Sequence, residues 1–252
     1  MKKEATFTVS IGEVANLIDA WVTNQAGWEI YDEYGTEKHV YKCTGGNTPF
    51  YLYVDDDTAG YAEVKLWENW DNVSHTGSGN STTTQYIVKY PATWRVVGDT
   101  DHIIVYCADT INYARGMYAG YTTPILADDT KAILILAANT SSSTNGWVTT
   151  HSFEYGQWLF KYGGGTAQNA YFYHPFINDD QAIAINGEGI VLFKPYVGES
   201  PQNKRARGIQ KSIFGDGTAL ITGFSVGDTI YLDEMPYVAR QCYNCYAWIK
   251  NG

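Results

Sequence analysis

Residues 110–124 read TINYARGMYAGYTTP and directly follow the apolar run HIIVYCAD at 102–109. How this stretch is read decides the fold. Tyr113, Met117 and Tyr121 recur every four positions, as do Gly116 and Gly120, and that spacing suits a helical turn. The same residues suit an extended strand in which the glycines mark bulges or the close approach of another backbone. Arg115 is then a single cation among aromatics, available for ring stacking or for an ion pair across an interface.

Working outward, the pattern is β. Trp94–Val97 and His102–Cys107 flank Gly98–Asp101, which reads as a tight hairpin. Upstream, Trp28–Tyr31, His39–Cys43, Phe50–Val54 and Tyr61–Trp67 read as strands, with 55–60 (DDDTAG) as a hairpin connection. Residues 75–84, polar and rich in Gly, Ser and Thr, read as a loop, and Tyr86–Tyr90 as a short or edge strand. Downstream, Lys131–Ala137 reads as a buried strand and 139–146 as a loop. Further candidate strands follow at Trp158–Tyr162, Ala170–Tyr173, Gly189–Lys194, Thr229–Leu232 and 243–250.

One segment differs. Ile11, Val14, Leu17, Ile18, Trp21 and Val22 follow the helical repeat, Ser10 with Glu13 forms a capping box, and Asn24 and Gly27 supply a stop. The expected fold is therefore mainly β, a β-sandwich or barrel-like domain with a short N-terminal amphipathic helix. Residues 1–27 would hold the helix and 28–252 a single β-rich domain, with weak boundaries near 163–170 or 198–201.

Composition bounds the function. The chain has 252 residues, 21 Tyr and 8 Trp, and only 17% charged residues, below the roughly 25% of an ordinary soluble domain. Such a surface suits burial against other subunits. A net charge of −10 argues against a nucleic-acid partner, which needs a basic footprint. The short basic run Lys204–Arg207 reads as a solvated loop. No apolar run approaches the ~20 residues of a membrane span, and the N-terminus lacks the apolar core of a signal peptide.

Chemistry is sparse. His39, His75, His102, His151 and His174 are scattered, with no two at metal-ligand spacing. Cys242 and Cys245 form a lone CxxC, and with Cys43 and Cys107 they read as buried free thiols. Asp55, Asp56 and Asp57 form a D-x-D turn without the glutamate that a calcium loop requires. No nucleophile or cofactor motif is present, so no catalytic residue, metal or cofactor is expected. Among the tryptophans (Trp67, Trp70, Trp94, Trp147 and Trp158 are candidates), Trp67 and Trp70 are the most suggestive platform for stacking a sugar.

The ordered features resemble a family of tailed-bacteriophage virion proteins. The resemblance rests on LIDAWVTNQAGW at 17–28, VYKCTGGNTPFYLYV at 40–54, the whole of 94–124, and ITGFSVGDTIYLDEMPYVARQCYNCYAWI at 221–249. The segment ILADDTKAILIL at 125–136 departs from the family pattern, as do the basic run and the CxxC. The resemblance favours the extended reading of 110–124. It implies a structural subunit of the virion, assembled in the host cytoplasm with copies of itself and other neck, collar, tail or baseplate proteins, and no catalysis. Candidate interface residues are Leu17, Ile18 and Trp21 on the helix, with Tyr113, Arg115, Tyr118 and Tyr121. The alternative is a carbohydrate-binding host-recognition module that takes a host-surface glycan.

Overall fold

The computed structural model describes residues 1–108, 115–137, 156–161, 169–173, 192–193, 196–199, 206–216, 227–242 and 245–251. The fold is mainly β, with one helix among the described residues. In chain order the elements are β1 (Lys3–Phe7), α1 (Glu13–Val22), β2 (Trp28–Tyr34), β3 (Lys38–Cys43), β4 (Phe50–Asp55), β5 (Tyr61–Asp71), β6 (Thr76–Ser81), β7 (Gln85–Val88), β8 (Ala92–Asp99), β9 (His102–Cys107) and β10 (Gly116–Tyr121). They continue with β11 (Thr123–Pro124), β12 (Ile133–Ala137), β13 (Gly156–Trp158), β14 (Asn169–Tyr173), β15 (Leu192–Phe193), β16 (Tyr196–Gly198), β17 (Ala206–Ile209), β18 (Ile213–Asp216), β19 (Thr229–Leu232), β20 (Met235–Cys242) and β21 (Cys245–Lys250).

The deciding stretch is extended where it is described. β10 lies between β9 and β12, antiparallel to both, with Tyr118 opposite Ile104 and Leu136. The described ladder runs through both glycines without a bulge. They serve close approach instead. A β-carbon on Gly116 would lie 2.0 Å from the Val105 carbonyl oxygen, and one on Gly120 2.4 Å from that of Asp101. Side chains from β9, β10 and β12 alternate between two cores. Ile103, Val105, Met117, Ala119, Ile133 and Ile135 join one; Ile104, Tyr106, Tyr118, Leu134 and Leu136 join the other. A strand buried on both faces reads as a continuous apolar run, which HIIVYC and ILILA are.

The first core lies between these strands, α1, and the inner face of a second sheet ordered β2-β3-β4-β5-β6, with β7 also on β5. On the other side the ladder runs β10-β12-β13-β14-β16-β17-β11. Because β11 follows β10 in the chain after one residue, that path returns to its starting strand around Tyr118, Trp158 and Val197. Strands β15-β18-β21-β20-β19 form a third sheet.

Several expectations are corrected. Residues 1–27 also hold β1, which pairs with β8, and Ile11 lies exposed ahead of the helix. Ser10 makes no cap: the N-cap is Gly12 at φ 76°, with no side-chain cap bond. Glu13 supplies its half of the box, accepting the Ser10 amide at 2.9 Å, while a remote Asp56 accepts the Val14 and Ala15 amides. The polar segment at 75–84 contains β6, paired to β5. Cys242 and Cys245 are backbone register partners at the end of the β20–β21 ladder. The loop at 139–146, Trp147, His151, His174, Lys204, Arg205 and most of the boundary at 163–170 lie outside the described residues.

Candidate functional site

Among the described residues, the outer face of the β2–β6 sheet gathers a set of neighbouring aromatic rings. Alternation builds it. Along β4, Phe50, Leu52 and Val54 point into the core, so Tyr51 and Tyr53 point out. Along β5, Ala62, Val64 and Leu66 are buried and Lys65 and Trp67 face out. Register then sets rows: Lys42, Tyr51 and Trp67 form one, and Tyr53 opposes Lys65. Irregularities at Ile30/Asp32 and Trp67/Asn69 bring Tyr31 and Trp70 to the same face. Bulges of this kind re-aim side chains.

The rings touch in sequence. Tyr31 meets Tyr51 edge-on at 5.1 Å between centroids, Tyr53 stacks on Trp70 at 5.6 Å, and Trp67 meets Trp70 at 6.4 Å. Tyr34 lies 6.2 Å from Trp70 and stacks on His75 at 4.4 Å. Trp70 is the anchor, only 8% exposed; its indole Nε1–H donates to Asp32 Oδ2 at 2.7 Å. His75 Nδ1 contacts the same oxygen at 2.9 Å. Gly77 makes room for Trp67, whose ring would lie 2.1 Å from a β-carbon there.

Lysines border the rings. Lys65 Nζ sits 4.0 Å above the Trp67 ring and Lys42 Nζ 5.1 Å above Tyr31. Partial burial lowers the Lys65 pKa. The Glu29 carboxylate raises that of Lys42. Burial, then the hydrogen bond to Asp55, pushes the Tyr53 phenol above its ordinary range. Such a face can stack flat ligands or aromatic side chains and offers cations and carboxylates at its rim.

The residues proposed from sequence divide. Trp67 and Trp70 are together on this face. Leu17, Ile18 and Trp21 are core, 2%, 0% and 0% exposed, because α1 turns its apolar side inward onto β1, β2 and β8; they are not available as an interface. Tyr118 is also buried, and Tyr121 nearly so, its hydroxyl donating to the Thr48 carbonyl at 2.6 Å. Arg115 stacks on Tyr90 at 4.9 Å, and Tyr113 lies outside the described residues. Sequence reading missed Tyr31, Tyr34, Tyr51 and Tyr53. The alternation in FYLYV was the signal for the last two.

The aspartate turn is occupied by protein cations. Asp55 pairs with Lys38 at 2.7 Å, and Asp56 with the buried Lys89 at 2.5 Å. Cys43 and Cys107 are both buried, and burial pushes the Cys43 thiol up to about 12. Arg207, expected in a solvated loop, is buried against Trp158 and paired with Asp129.

Two further groups of polar residues stand out. Asp101 Oδ1 lies 2.9 Å from His102 Nδ1, and His102 Nε2 lies 2.9 Å from Ser212 Oγ. His102 is enclosed and stacked on Tyr118, so this chain clasps the 210–213 turn to β9. Below α1, His39 is ringed by Asp19, Glu33 and Glu37. The Asp19 contact, against burial, raises the His39 pKa.

Comparison with protein-family models and with curated proteins finds no match for this chain.

Proposed function

We propose that this chain is a structural subunit of a tailed-phage particle that works by surface contact rather than catalysis. The observation that carries the reading is the outer face of β2–β6, where six rings (Tyr31, Tyr34, Tyr51, Tyr53, Trp67 and Trp70) lie on one side of one sheet. Aromatic residues are enriched where proteins dock. The ordered resemblance to virion proteins supplies the context, and the stacked sheets are read as a sandwich-like body with a barrel-like distal part. Neighbouring subunits, related by the closed symmetry of a virion ring, would cover the face.

Mass spectrometry of intact virions tests this. The expected result is the chain present in the particle at a fixed, low copy number, as a closed symmetric ring requires. Its absence from the particle overturns the reading.

A second reading is favoured by one contact, Lys65 above the half-buried Trp67, beside a rim that holds Glu68 and Asn80. Aromatic platforms edged with hydrogen-bonding groups also stack sugar rings, so this face would take a host-surface glycan. Purified protein on a glycan array should then show binding that Trp67→Ala abolishes. Signals equal in wild type and variant exclude it.

A further inference from the structure

We propose that Asp19, Glu33 and His39 form a binding site for a divalent transition-metal ion, with Zn2+ the ion whose preferences they match. The three come from separate places. Asp19 is on α1, and Glu33 and His39 are cross-strand partners on β2 and β3. Their ligand atoms all lie within 4.8 Å of one another. Asp19 Oδ1 is 3.2 Å and Glu33 Oε1 3.5 Å from the same ring nitrogen, His39 Nδ1. Tetrahedral ligands bonded to zinc at about 2.1 Å stand about 3.4 Å apart, so both separations already suit a shared ion.

The surroundings match what metal ligands need. His39 Nε2 faces Glu37 Oε2 at 3.7 Å, so with an ion on the Nδ1 lone pair the ring proton would sit on Nε2, on the side of that carboxylate. A carboxylate behind a ligating imidazole is a common support for a metal. Asp19 Oδ1 accepts the hydroxyl of the buried Tyr41 at 2.8 Å, which fixes that carboxylate. Glu37 is itself held over Gly12, where a β-carbon would lie 2.8 Å from its carboxyl carbon.

Charge points the same way. Three carboxylates surround one imidazole, and among the described residues none of them pairs with a lysine or arginine. A protonated His39 would offset one of the three negative charges; a divalent ion offsets two. His39 is enclosed, while the Glu33 side chain is 58% exposed, so the site has a buried floor and an open side for ion entry and a water ligand. The mixed nitrogen and oxygen set suits zinc better than calcium or magnesium, which favour oxygen alone. Bound there, the ion would join α1 to the β2–β3 hairpin.

The test uses the full chain, stripped with EDTA and freed of chelator. Titration with ZnCl2 by calorimetry should show one ion per chain. CoCl2 should produce a visible d–d absorption band, and the melting temperature should rise with ZnCl2. Glu33→Gln, at the exposed rim where folding is safe, should weaken zinc binding about tenfold or more. His39→Gln should abolish the cobalt band. Glu29→Gln, on the opposite face of β2, should bind as wild type. No heat, no band and no melting shift at millimolar metal would overturn the proposal. So would binding that Glu33→Gln and His39→Gln both leave unchanged.

Discussion

The Val14 amide donates to Asp56 Oδ2 at 2.7 Å across 42 residues of chain. The Ala15 amide donates to the same oxygen at 3.1 Å, so one carboxylate from the β4–β5 connection satisfies two open N–H groups of the first turn of α1. Its other oxygen lies 2.5 Å from Lys89 Nζ, with neither side chain exposed. Lys89 also donates to the carbonyls of Ser10 and Thr58. Helix, turn and the chain after β7 therefore meet at one buried ion pair. Burial raises the Asp56 pKa against the pull of Lys89 and the helix amides.

Removing either charge strands the other in the core. Asp56→Ala and Lys89→Met should each destabilise the fold by about 3–5 kcal/mol. The double variant Asp56→Ala/Lys89→Met should lose clearly less than the sum, because no lone charge remains. Urea unfolding of the four proteins measures this. Strict additivity would mean that the two groups act independently.

Gly120 should tolerate no side chain. It sits at φ 133°, and a β-carbon would press on the Asp101 carbonyl and the His102 backbone. Gly120→Ala should therefore cost at least about 1–3 kcal/mol, the usual penalty of overpacking, plus strain at that φ. Gly60 is the contrast. It too has positive φ, but its nearest neighbour would be 3.9 Å from a β-carbon, so Gly60→Ala should show the smaller loss. Thermal unfolding of both variants decides; equal losses would mean that φ alone sets the cost.

Arg207 should resist even conservative replacement. Its Nε donates to Asp129 Oδ2 at 2.7 Å, Nη1 to Glu199 and the Phe160 carbonyl, and Nη2 to Asp129 and the Lys131 carbonyl, while the plane covers Trp158. A lysine offers a point charge and no planar fork. Arg207→Ala should cost about 3–5 kcal/mol, and Arg207→Lys should recover only part of it in denaturant titration. Full recovery would show that charge alone is needed.

What sequence reveals here is period and punctuation. FYLYV at 50–54 places Tyr51 and Tyr53 opposite Phe50, Leu52 and Val54 by alternation alone. ILILA and HIIVYC declare two-sided burial. The helical repeat around Leu17 marks an apolar face, but that face packs inward, and nothing in a repeat says whether its partner is the same chain. Trp67 and Trp70 are visible as a pair, yet their shared side depends on a ladder irregularity that spacing does not encode. Asp19, Glu33 and His39 come together only when α1 crosses the β2–β3 hairpin, and local spacing carries no trace of that.

The β1–α1 junction should carry an acid-sensitive contribution from Glu13. Partial burial pushes its pKa up, but hydrogen bonds from the Thr8 amide and hydroxyl and from the Ser10 and Val9 amides outweigh it and hold the carboxyl below its usual value. A carboxylate whose folded pKa is depressed stabilises the fold above its unfolded pKa, near 4.5 here. That stabilisation is lost as pH falls through the lower folded value. Between neutral pH and about pH 5 the contribution should be constant, and below that it should decline. Glu13→Gln keeps the shape and removes the titration, so its melting temperature should be lower than wild type at neutral pH and converge with it in acid. Two curves that stay parallel through the acid limb would show that the junction does not depend on the Glu13 charge.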